Sequence, residues 1–277
     1  MKFRSIFILM VLVGLLLFEV GCTSPQPKST TEVVVASDHF PSWNESSTKQ
    51  QIIDFVTKTT TTGSPDFIPE ADCIAIFDND GTLWSEQPMY SQMAYGIDYI
   101  KKEAPNHPDW KSKEPFKSVV SGDLEALMKG GEKALVELIM ASHAGMTTSE
   151  FEKSVSAWLE KAKHPKTGKA FNQMISQPMV ELLDYLRSNG YKTFIVSGGG
   201  IDFMRVWAEK AYGIPPYQVI GSSIKSKYET VDGVPVINNF LNSISLITKK
   251  ESLGVSTNTS VNDQSLLPAI RTGIMQC

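Results

Sequence analysis

Two short apolar runs have the pattern of buried β-strands. Residues 73–77 are rich in Ile and Phe, and the carboxylates Asp78 and Asp80 follow them closely. Residues 191–196 are apolar as well, and a serine and three glycines follow them. Short apolar runs that end at turn residues are typical of strands inside a sheet. We therefore predict two buried strands, each of which ends at residues suited to bind a ligand.

The remaining pattern predicts helices between these strands and further strands after them. Apolar residues recur at helical spacing over residues 124–139, with a break at Gly130-Gly131, and again over residues 151–159, after a capping box that begins at Thr147. Other helices are expected over residues 47–59, 178–188 and 201–212, a strand over residues 219–222, and a hairpin over residues 228–237.

The amino terminus has the pattern of a secretory signal. Two basic residues precede the apolar residues 6–18, a run of thirteen that is short for a membrane span. Cys22, after Val and Gly, resembles a bacterial lipoprotein processing site, in which the cysteine is lipidated and becomes the new amino terminus. Glu19 stands where that site usually carries Leu, so a plain signal peptide and an uncleaved anchor stay open as alternatives. We predict a lipoprotein signal over residues 1–22 and, from its Ser, Thr and Pro content, a flexible tether over residues 23–45.

Composition narrows the class of partner. The chain has 277 residues and a formal net charge of −4, which gives no support for a nucleic-acid partner, since that would need a basic surface. Its length fits one mid-sized domain with an insert. The three cysteines form no disulfide or metal-binding pattern. His107, His143 and His164 lack the spacing of metal ligands, so we expect them at the surface or at helix caps.

Asp78 and Asp80 lie one residue apart at the end of a predicted buried strand. In open α/β sheets, the carboxyl ends of parallel strands form the crevice in which ligands bind. Two carboxylates this close repel each other, which predicts a cation between them. The alternative is an ordinary Asp-Asn-Asp-Gly turn without chemistry. An EF-hand calcium loop is excluded, because Leu83 stands where that loop needs glycine.

Residues 77–83 resemble the first signature motif of the haloacid dehalogenase superfamily, Asp-x-Asp-Gly-Thr after a hydrophobic strand. The resemblance implies that Asp78 is the nucleophile and Asp80 the general acid/base. It also implies a Mg²⁺ site to which Asp78 contributes its side chain and Asp80 a nearby backbone carbonyl. Thr82 and Glu86 lie near the entrance to the insert, where they would either contact the substrate or serve only local turn bonding and solvation.

Ser197 and the glycines after it precede a predicted helix, whose first amide groups and dipole would attract a phosphate. Glycine runs often only turn the chain, so this signal is weak by itself. After Asp78 and a helical insert, however, it resembles the second motif of the same superfamily. The resemblance implies that Ser197 hydrogen-bonds the transferring phosphoryl group, with the amides of Gly198 and Gly199 beside it.

The resemblance further implies an α/β fold with a Rossmann-like parallel sheet. The core would comprise residues 46–90 and 178–241. Residues 91–177 would form a helical cap, as in the phosphoserine-phosphatase-like branch of the superfamily. Such a cap closes over the site and excludes water.

Residues 242–277 form an atypical tail that does not complete this pattern. The superfamily has a late acidic motif, Gly-Asn-Ser-Asp-Gly-Asp in this branch, and no such sequence follows Phe240. We therefore expect the C-terminal part of the core to be incomplete. The genetic code permits the motif in a shifted reading frame across residues 268–274, so we hypothesise a frameshift within residues 242–247. A coding DNA whose shifted frame does not spell the motif would refute this hypothesis.

The function that the resemblance implies is Mg²⁺-dependent hydrolysis of a small phosphate monoester through an aspartyl-phosphate. The enzyme would lie in the cell envelope, anchored in the membrane by a lipid on Cys22 or free in the periplasm, and loss of the late acidic motif would impair it. The competing hypothesis is a catalytically defective envelope lipoprotein that binds a ligand or persists as a remnant. A dehalogenase is a third alternative, although Asp80 and Gly81 suit the phosphatase pattern better.

Overall fold

The computed structural model describes residues 38–245. The predicted signal peptide, the lipidation site Cys22, residues 23–37 of the predicted tether and residues 246–277 of the tail lie outside this range. Within it, none of the helices is long and apolar enough to cross a membrane.

Four strands form one sheet, in the order β1 (Ile74–Phe77), β2 (Lys192–Gly200), β3 (Val219–Val231) and β4 (Val234–Ser245). The first three strands run parallel, and β4 runs antiparallel to β3. Both predicted buried strands are present, as β1 and β2. The predicted α/β class with a largely parallel sheet is confirmed.

The described chain is packed against the core from its start. Phe40 is almost fully buried, and its ring lies 4.8 Å from that of Tyr185 between centroids. The N–H and Oγ of Ser42 donate to the Glu181 carboxylate at 3.0 and 2.9 Å. The tether predicted over residues 23–45 is therefore wrong for its described part, because a buried aromatic ring and two hydrogen bonds hold that part on the core.

The helices between β1 and β2 form a helical insert, as predicted. The break at Gly130-Gly131 and the capping box of Thr147 with Glu150 are both present. A second apolar cluster, separate from that of the core, holds the helices over residues 91–143 together, whereas Phe151, Val155 and Leu159 of the last helix belong to the core cluster. After α1 (Ser47–Thr60) of the core, the helices of the insert are α2 (Ser91–Glu103), α3 (Phe116–Ser121), α4 (Leu124–Lys129), α5 (Gly131–His143) and α6 (Thr148–Lys161).

The two connections between the insert and the core lie side by side. Ser85 N donates to Met174 O at 3.1 Å, and Ser176 N donates to Leu83 O at 2.9 Å. The chain therefore enters and leaves the insert through one paired link. This pairing fixes where the insert meets the carboxyl end of β1.

The helix after the insert packs on the sheet. α7 (Gln177–Ser188) carries Pro178 in its first turn, where a missing N–H costs nothing. Its residue Leu183 joins Phe77 of β1 and Ile195 of β2 in the largest buried apolar cluster. Removal of this apolar surface from water is the main force that drives the core together.

The helix predicted over residues 201–212 is instead two short helices, α8 (Ile201–Arg205) and α9 (Ala208–Tyr212). Between them, Trp207 has a φ of −132° and leaves helical geometry. Its ring is buried edge-on against Trp84, with 3.9 Å between the ring centroids. The apolar spacing therefore predicted the burial of this segment but not its break.

The hairpin between β3 and β4 turns where the sequence predicts. Asp232 and Gly233 have φ values of +52° and +79°, so both adopt the left-handed conformation that a type I′ turn requires. The two strands are longer than the predicted hairpin, because β3 continues without interruption from the parallel part of the sheet into the hairpin.

We predict that Phe40→Ala lowers the free energy of unfolding by about 3–5 kcal/mol, since it empties a buried aromatic site. The matched control is Phe67→Ala, at a ring that is 40% exposed, for which we expect a clearly smaller loss. Urea unfolding of both variants measures the difference. Equal losses would mean that the segment around Phe40 does not belong to the folded core.

Candidate active site

The turn after β1 holds both predicted catalytic carboxylates. The Asn79 carbonyl accepts hydrogen bonds from the backbone N–H groups of residues 82–84, at 3.2, 2.9 and 3.0 Å. Gly81 has a φ of +78°, which glycine adopts without strain, and its N–H donates to Trp84 O at 2.7 Å. These bonds close the turn and fix the backbone that carries the two carboxylates.

Asp78 and Asp80 have different environments within this turn. Asp78 is exposed, and its Oδ1 accepts from Asn79 N at 2.7 Å. Asp80 is half-buried, and its Oδ1 is buried without a hydrogen-bond partner in the described chain. Burial, followed by the charge of Asp78, raises the pKa of Asp80 to about 6; Glu86 adds to this effect and a hydrogen bond from the Asn79 side chain opposes it. Such a carboxyl group exchanges a proton close to neutral pH, whereas Asp78 is the carboxylate open to a ligand.

Glu86 lies against the same turn. A Cβ on Gly81 would lie 2.9 Å from Glu86 Cδ and 3.0 Å from its Oε2, so the carboxylate packs where only a glycine leaves room. Glu86 and Thr82 are both half-buried. Contact of these two side chains with a substrate stays a prediction.

The end of β2 is a bulge. Val196 pairs with Ile220 and Gly200 pairs with Ser222, so residues 197–199 of β2 stand opposite the single residue Gly221 of β3. A bulge of this kind leaves backbone groups outside the regular ladder of the sheet. The bulge is stabilised at both ends by hydroxyl groups. Ser197 Oγ accepts from Gly199 N at 3.3 Å, and Ser222 Oγ donates to Gly198 O at 2.8 Å.

The bulge and the turn after β1 meet at Gly199. A Cβ on Gly199 would lie 3.6 Å from Asp80 Oδ2 and 3.7 Å from Ser197 Oγ. Asp80 and Ser197 are 117 positions apart in the sequence, and the parallel pairing of β1 with β2 brings them together. The structure therefore joins the two motifs that the sequence singled out, Asp78/Asp80 and Ser197/Gly198/Gly199, at one edge of the sheet.

The helix that follows the bulge is shorter than the predicted phosphate cradle requires. α8 has five residues, which is little more than one turn, so its dipole is small. The phosphate-binding role of Ser197, Gly198 and Gly199 stays a prediction. It rests on the backbone of the bulge rather than on a long helix.

Gln92, in the first turn of α2, is a site residue that the sequence analysis missed. It is buried, and its Oε1 accepts a hydrogen bond from Gly200 N at 2.8 Å. A Cβ on Gly200 would collide with Gln92 Nε2, so the amide of Gln92 lies directly over that glycine. No local signal marks Gln92, because its partner is 108 residues away.

A small cleft lies between the insert and the end of β2, with a volume of about 310 Å³ that includes its open mouth. Its walls come from α2 and α5 on one side, and from the bulge, α8 and β3 on the other. The lining residues are Gln92, Ile139, His143, Gly198, Gly200, Asp202, Ser222 and Ile224.

His143 and His164 are not the surface or capping residues that we expected, since both are buried. The His143 ring stacks on Phe151 at 3.8 Å between ring centroids, and its Nδ1 donates to Ile139 O at 2.6 Å. Burial lowers the pKa of His143 to about 4, against the opposing hydrogen bond to Ile139. His164 bonds Gln87 O through Nε2 at 2.6 Å. Helical spacing alone did not show which face of each helix would be covered by another part of the fold.

Several buried polar atoms beside Asp80 lack a partner within the described residues. They are Asp80 Oδ1, Asn79 Oδ1, Trp84 Nε1, Trp207 Nε1 and Tyr212 OH. Burial and the charge of Asp80 both raise the pKa of Tyr212, so its hydroxyl remains a neutral hydrogen-bonding group. Buried polar groups without partners are rare in folded proteins, and a catalytic role, a bound ion or an ordered water is the usual explanation for them.

The fit of this site to Mg²⁺ follows from its oxygen atoms. Asp78 offers an exposed carboxylate, and a backbone carbonyl near Asp80 in the same turn offers a second oxygen, so the Asp80 side chain stays available to exchange a proton. Within residues 38–245, no three His, Cys, Asp or Glu side chains form a group that could hold a metal ion. Mg²⁺ often binds through one or two carboxylates, with water and substrate phosphate as its other ligands. The two aspartates therefore fit a Mg²⁺ site with few protein ligands.

The model of the haloacid dehalogenase-like hydrolase family matches residues 75–242, which is more than half of the chain. The match begins in β1, includes the whole insert and ends in β4. It therefore contains both motifs and the cleft. No curated protein matches the chain.

Solved structures show weaker similarity. A HAD family hydrolase from Salmonella enterica subsp. enterica serovar Typhi has 15% identity and a TM-score of 0.38, over 68% of this chain and 51% of that one. This chain therefore spans about half the length of that relative. A phosphoserine phosphohydrolase-like protein from Francisella tularensis subsp. tularensis has 13% identity and a TM-score of 0.34, over 68% and 73%. A protein with unknown function from Bordetella pertussis Tohama I has 16% identity and a TM-score of 0.45, over 71% and 86%. The assignment to a family rests on the match over residues 75–242.

We predict that protonation of His143 destabilises the fold at acidic pH. Its ordinary pKa is 6.5 and its folded-state pKa is about 4, so between these values the unfolded chain binds a proton that the folded chain does not. Stability that is present above pH 6.5 is therefore lost as the pH falls towards 4, by about 3 kcal/mol at about 1.36 kcal/mol per pKa unit.

Urea unfolding at pH 7, 6, 5 and 4 measures this loss. His143→Phe keeps the ring that stacks on Phe151, and we expect it to lose less stability than the wild type over this pH range. The control is His107→Phe, at an exposed ring stacked on Trp110, for which we expect the wild-type pH dependence. An identical pH dependence in all three proteins would contradict the prediction.

Proposed function

We propose that this chain, which belongs to the haloacid dehalogenase-like hydrolase family, is a phosphatase that hydrolyses a small phosphate monoester through an aspartyl-phosphate. One observation carries the proposal. Asp80 Oδ2 and Ser197 Oγ both lie next to Gly199, within 3.6 and 3.7 Å of the position of a Cβ on that glycine. A proton-exchanging carboxyl group, a hydroxyl group and a bulge of exposed backbone thus surround one small space, beside the exposed carboxylate of Asp78.

In the first step, an oxygen of Asp78 attacks phosphorus, and the bond from phosphorus to the leaving oxygen breaks in line. Asp80, in its protonated form, gives its proton to the leaving alcohol. In the second step, Asp80 removes a proton from water, which attacks the phosphorus of the aspartyl-phosphate. Phosphate leaves, the Asp78 carboxylate is restored and Asp80 is protonated again.

Ser197 and the bulge serve the phosphoryl oxygens in this proposal. The Ser197 hydroxyl can donate to one of them, and the amides of Gly198 and Gly199 lie on the same part of the bulge. Donors that are fixed before the reaction stabilise the charge that develops on those oxygens. A Mg²⁺ ion held by the Asp78 carboxylate and a backbone carbonyl near Asp80 would offset the negative charge between Asp78 and the substrate, and would leave the Asp80 side chain free to carry its proton.

The second candidate is a catalytically defective member of the family that binds a ligand. The observation that favours it is the sequence after Phe240, which lacks the late acidic motif of the superfamily. Asp78, Asp80 and Ser197 favour the enzyme, since a binding protein has no need of a nucleophile and an acid/base in one crevice.

Hydrolysis of p-nitrophenyl phosphate by the full-length chain tests the proposal. We expect turnover that EDTA removes and added Mg²⁺ restores. Asp78→Asn should lower kcat by at least about a thousandfold, because an amide cannot act as the nucleophile.

The control for this variant is Asp66→Asn, the same chemical change at an exposed position. We expect it to retain wild-type turnover. A folded wild-type protein without turnover, or equal turnover in Asp78→Asn, would favour the defective binding protein.

The location of the chain forms a further part of the proposal. Cys22 carries the lipid of an envelope lipoprotein, and residues 242–277 result from a frameshift. Cys22 and residues 246–277 lie outside the described residues, and the amino-terminal and carboxyl-terminal sequences support these two proposals. A lipid anchor would keep the hydrolase at the membrane surface, where it would meet substrates outside the cytoplasm.

Expression in a bacterium that is fed radiolabelled palmitate tests the anchor. We expect label in the wild-type protein and in Cys73→Ser, but none in Cys22→Ser. Label that persists in Cys22→Ser would contradict lipidation at this position.

A further inference from the structure

The cleft between the insert and the bulge is lined by polar side chains that take no part in the proposed phosphoryl transfer. We infer that Gln92 and His143 recognise the alcohol part of the substrate, and that this part is small, uncharged and hydroxylated. The inference rests on the proposed function and names the class of its substrate. It follows from the hydrogen bonds that these two side chains make and from those that they leave open.

The orientation of the Gln92 amide is fixed by its partner. Gly200 N can only donate, so the atom that receives its hydrogen bond at 2.8 Å must be Gln92 Oε1. Gln92 Nε2 is then the free end of the side chain, and it is buried without a partner in the described chain. Because Gln92 is 8% exposed and lines the cleft, it offers a desolvated N–H donor to whatever binds there.

The tautomer of His143 is fixed in the same way. The Ile139 carbonyl only accepts, so the 2.6 Å bond places the ring proton on Nδ1. The Ser142 hydroxyl donates to the same carbonyl at 2.9 Å, which is consistent with a protonated Nδ1. Within the described residues, the hydrogen bonds of this ring all involve Nδ1. The other nitrogen, Nε2, is therefore an acceptor, and the ring lines the cleft.

One donor and one acceptor together suit a hydroxyl group. A hydroxyl accepts from an N–H and donates to a ring nitrogen at the same time, whereas a carboxylate only accepts and an ammonium only donates. A ligand that leaves a buried donor unpaired loses the hydrogen bond and bears the desolvation of that donor. The pair therefore favours an alcohol that carries at least one hydroxyl beyond the ester oxygen.

The walls of the cleft limit the size and the charge of this alcohol. Ile139 and Ile224 provide apolar walls, which suit a short carbon chain. Asp202 lies on the same lining, so a carboxylate or a second phosphate on the alcohol would meet a carboxyl group. Gly198 and Gly200 place the cleft beside the bulge. Because the volume of about 310 Å³ includes open solvent at the mouth, the enclosed part of the cleft has room for a small group only, such as a hydroxyl and its carbon.

A comparison of three esters tests the inference. Glycerol 3-phosphate carries two free hydroxyls, and n-propyl phosphate has the same carbon chain without them. O-phosphoserine carries an ammonium and a carboxylate on its alcohol part. For the full-length chain with Mg²⁺, we expect kcat/KM for glycerol 3-phosphate to exceed that for each of the other two esters by at least about tenfold. A smaller ratio against either ester would overturn the inference.

Variants of the two side chains assign the preference. Gln92→Glu keeps an oxygen for Gly200 N and replaces the free donor with an acceptor. Gln92→Met has a side chain of similar length without the two polar atoms. It replaces Gln92→Glu in the test if the buried charge of Glu prevents folding. His143→Phe keeps the stacked ring and removes Nε2. In each variant we expect the ratio of glycerol 3-phosphate to n-propyl phosphate to fall to within about threefold of one. Gln51→Glu, the same change at an exposed position of α1, should keep the wild-type ratio.

Binding separates the failure of this inference from the failure of the proposed function. In Asp78→Asn, calorimetry measures the Kd of glycerol 3-phosphate and of n-propyl phosphate without turnover, and addition of Gln92→Glu should remove any difference between them. Turnover of all esters at one rate, with equal Kd values, would overturn the inference and leave the phosphatase intact. Discrimination in binding without turnover of any ester would support the recognition site and overturn the phosphatase.

Discussion

The close approach of β2 to the turn after β1 is the constraint on which the rest of the site depends. A Cβ on Gly200 would collide with the Gln92 amide, whereas a Cβ on Gly199 would make only ordinary contacts with Asp80 and Ser197. Gly221 of β3 meets the same limit, since a Cβ there would lie 2.6 Å from Gly199 O. Glycines at these positions let three backbones converge, and the bulge at residues 197–199 turns that convergence into a crevice.

This convergence has an energetic cost that the surrounding core must offset. Asp80 is half-buried, and the polar atoms of Trp84, Trp207 and Tyr212, whose rings pack on one another, also lack partners in the described chain. Each buried polar group without a hydrogen bond costs about 1–3 kcal/mol. The edge-on packing of Trp84 with Trp207, and of Trp207 with Tyr212, supplies apolar contact around these same atoms. Burial is the largest cause of the raised pKa of Asp80, and the charge of Asp78 is the second.

Local sequence signals predicted most elements of the fold and both halves of the site. The strand at residues 73–77, the capping box at Thr147 and the turn at Asp232-Gly233 each depend on residues that lie close together in the chain. Asp78 and Ser197 were also identified, because each directly follows a buried strand. The approach of the two strand ends needs only the parallel pairing that apolar strands in an α/β sheet adopt.

The features that the sequence did not predict all depend on distant partners. In the sequence, Gln92 is indistinguishable from other polar residues of an amphipathic helix, and only the structure shows its hydrogen bond with Gly200. From the sequence, His143 is expected at the surface, but in the structure its ring stacks on Phe151 and is buried. The break at Trp207 lies where its ring meets Trp84. Hydrophobic periodicity shows that a helix has a buried face, but it does not show what that face meets.

The hydrogen bond from Gly200 to Gln92 makes the insert part of the site rather than a separate lid. It joins the first turn of α2 to the residue that ends the bulge, and the paired link at Leu83 and Ser176 lies at the foot of the same insert. A shift of the insert away from the core would break this bond and expose a buried amide at each end. The energy of that amide pair therefore favours the arrangement in which Gln92 and His143 face the bulge. Recognition of the alcohol and positioning of the phosphoryl group then depend on one shared piece of backbone, which couples the choice of substrate to the geometry of the reaction.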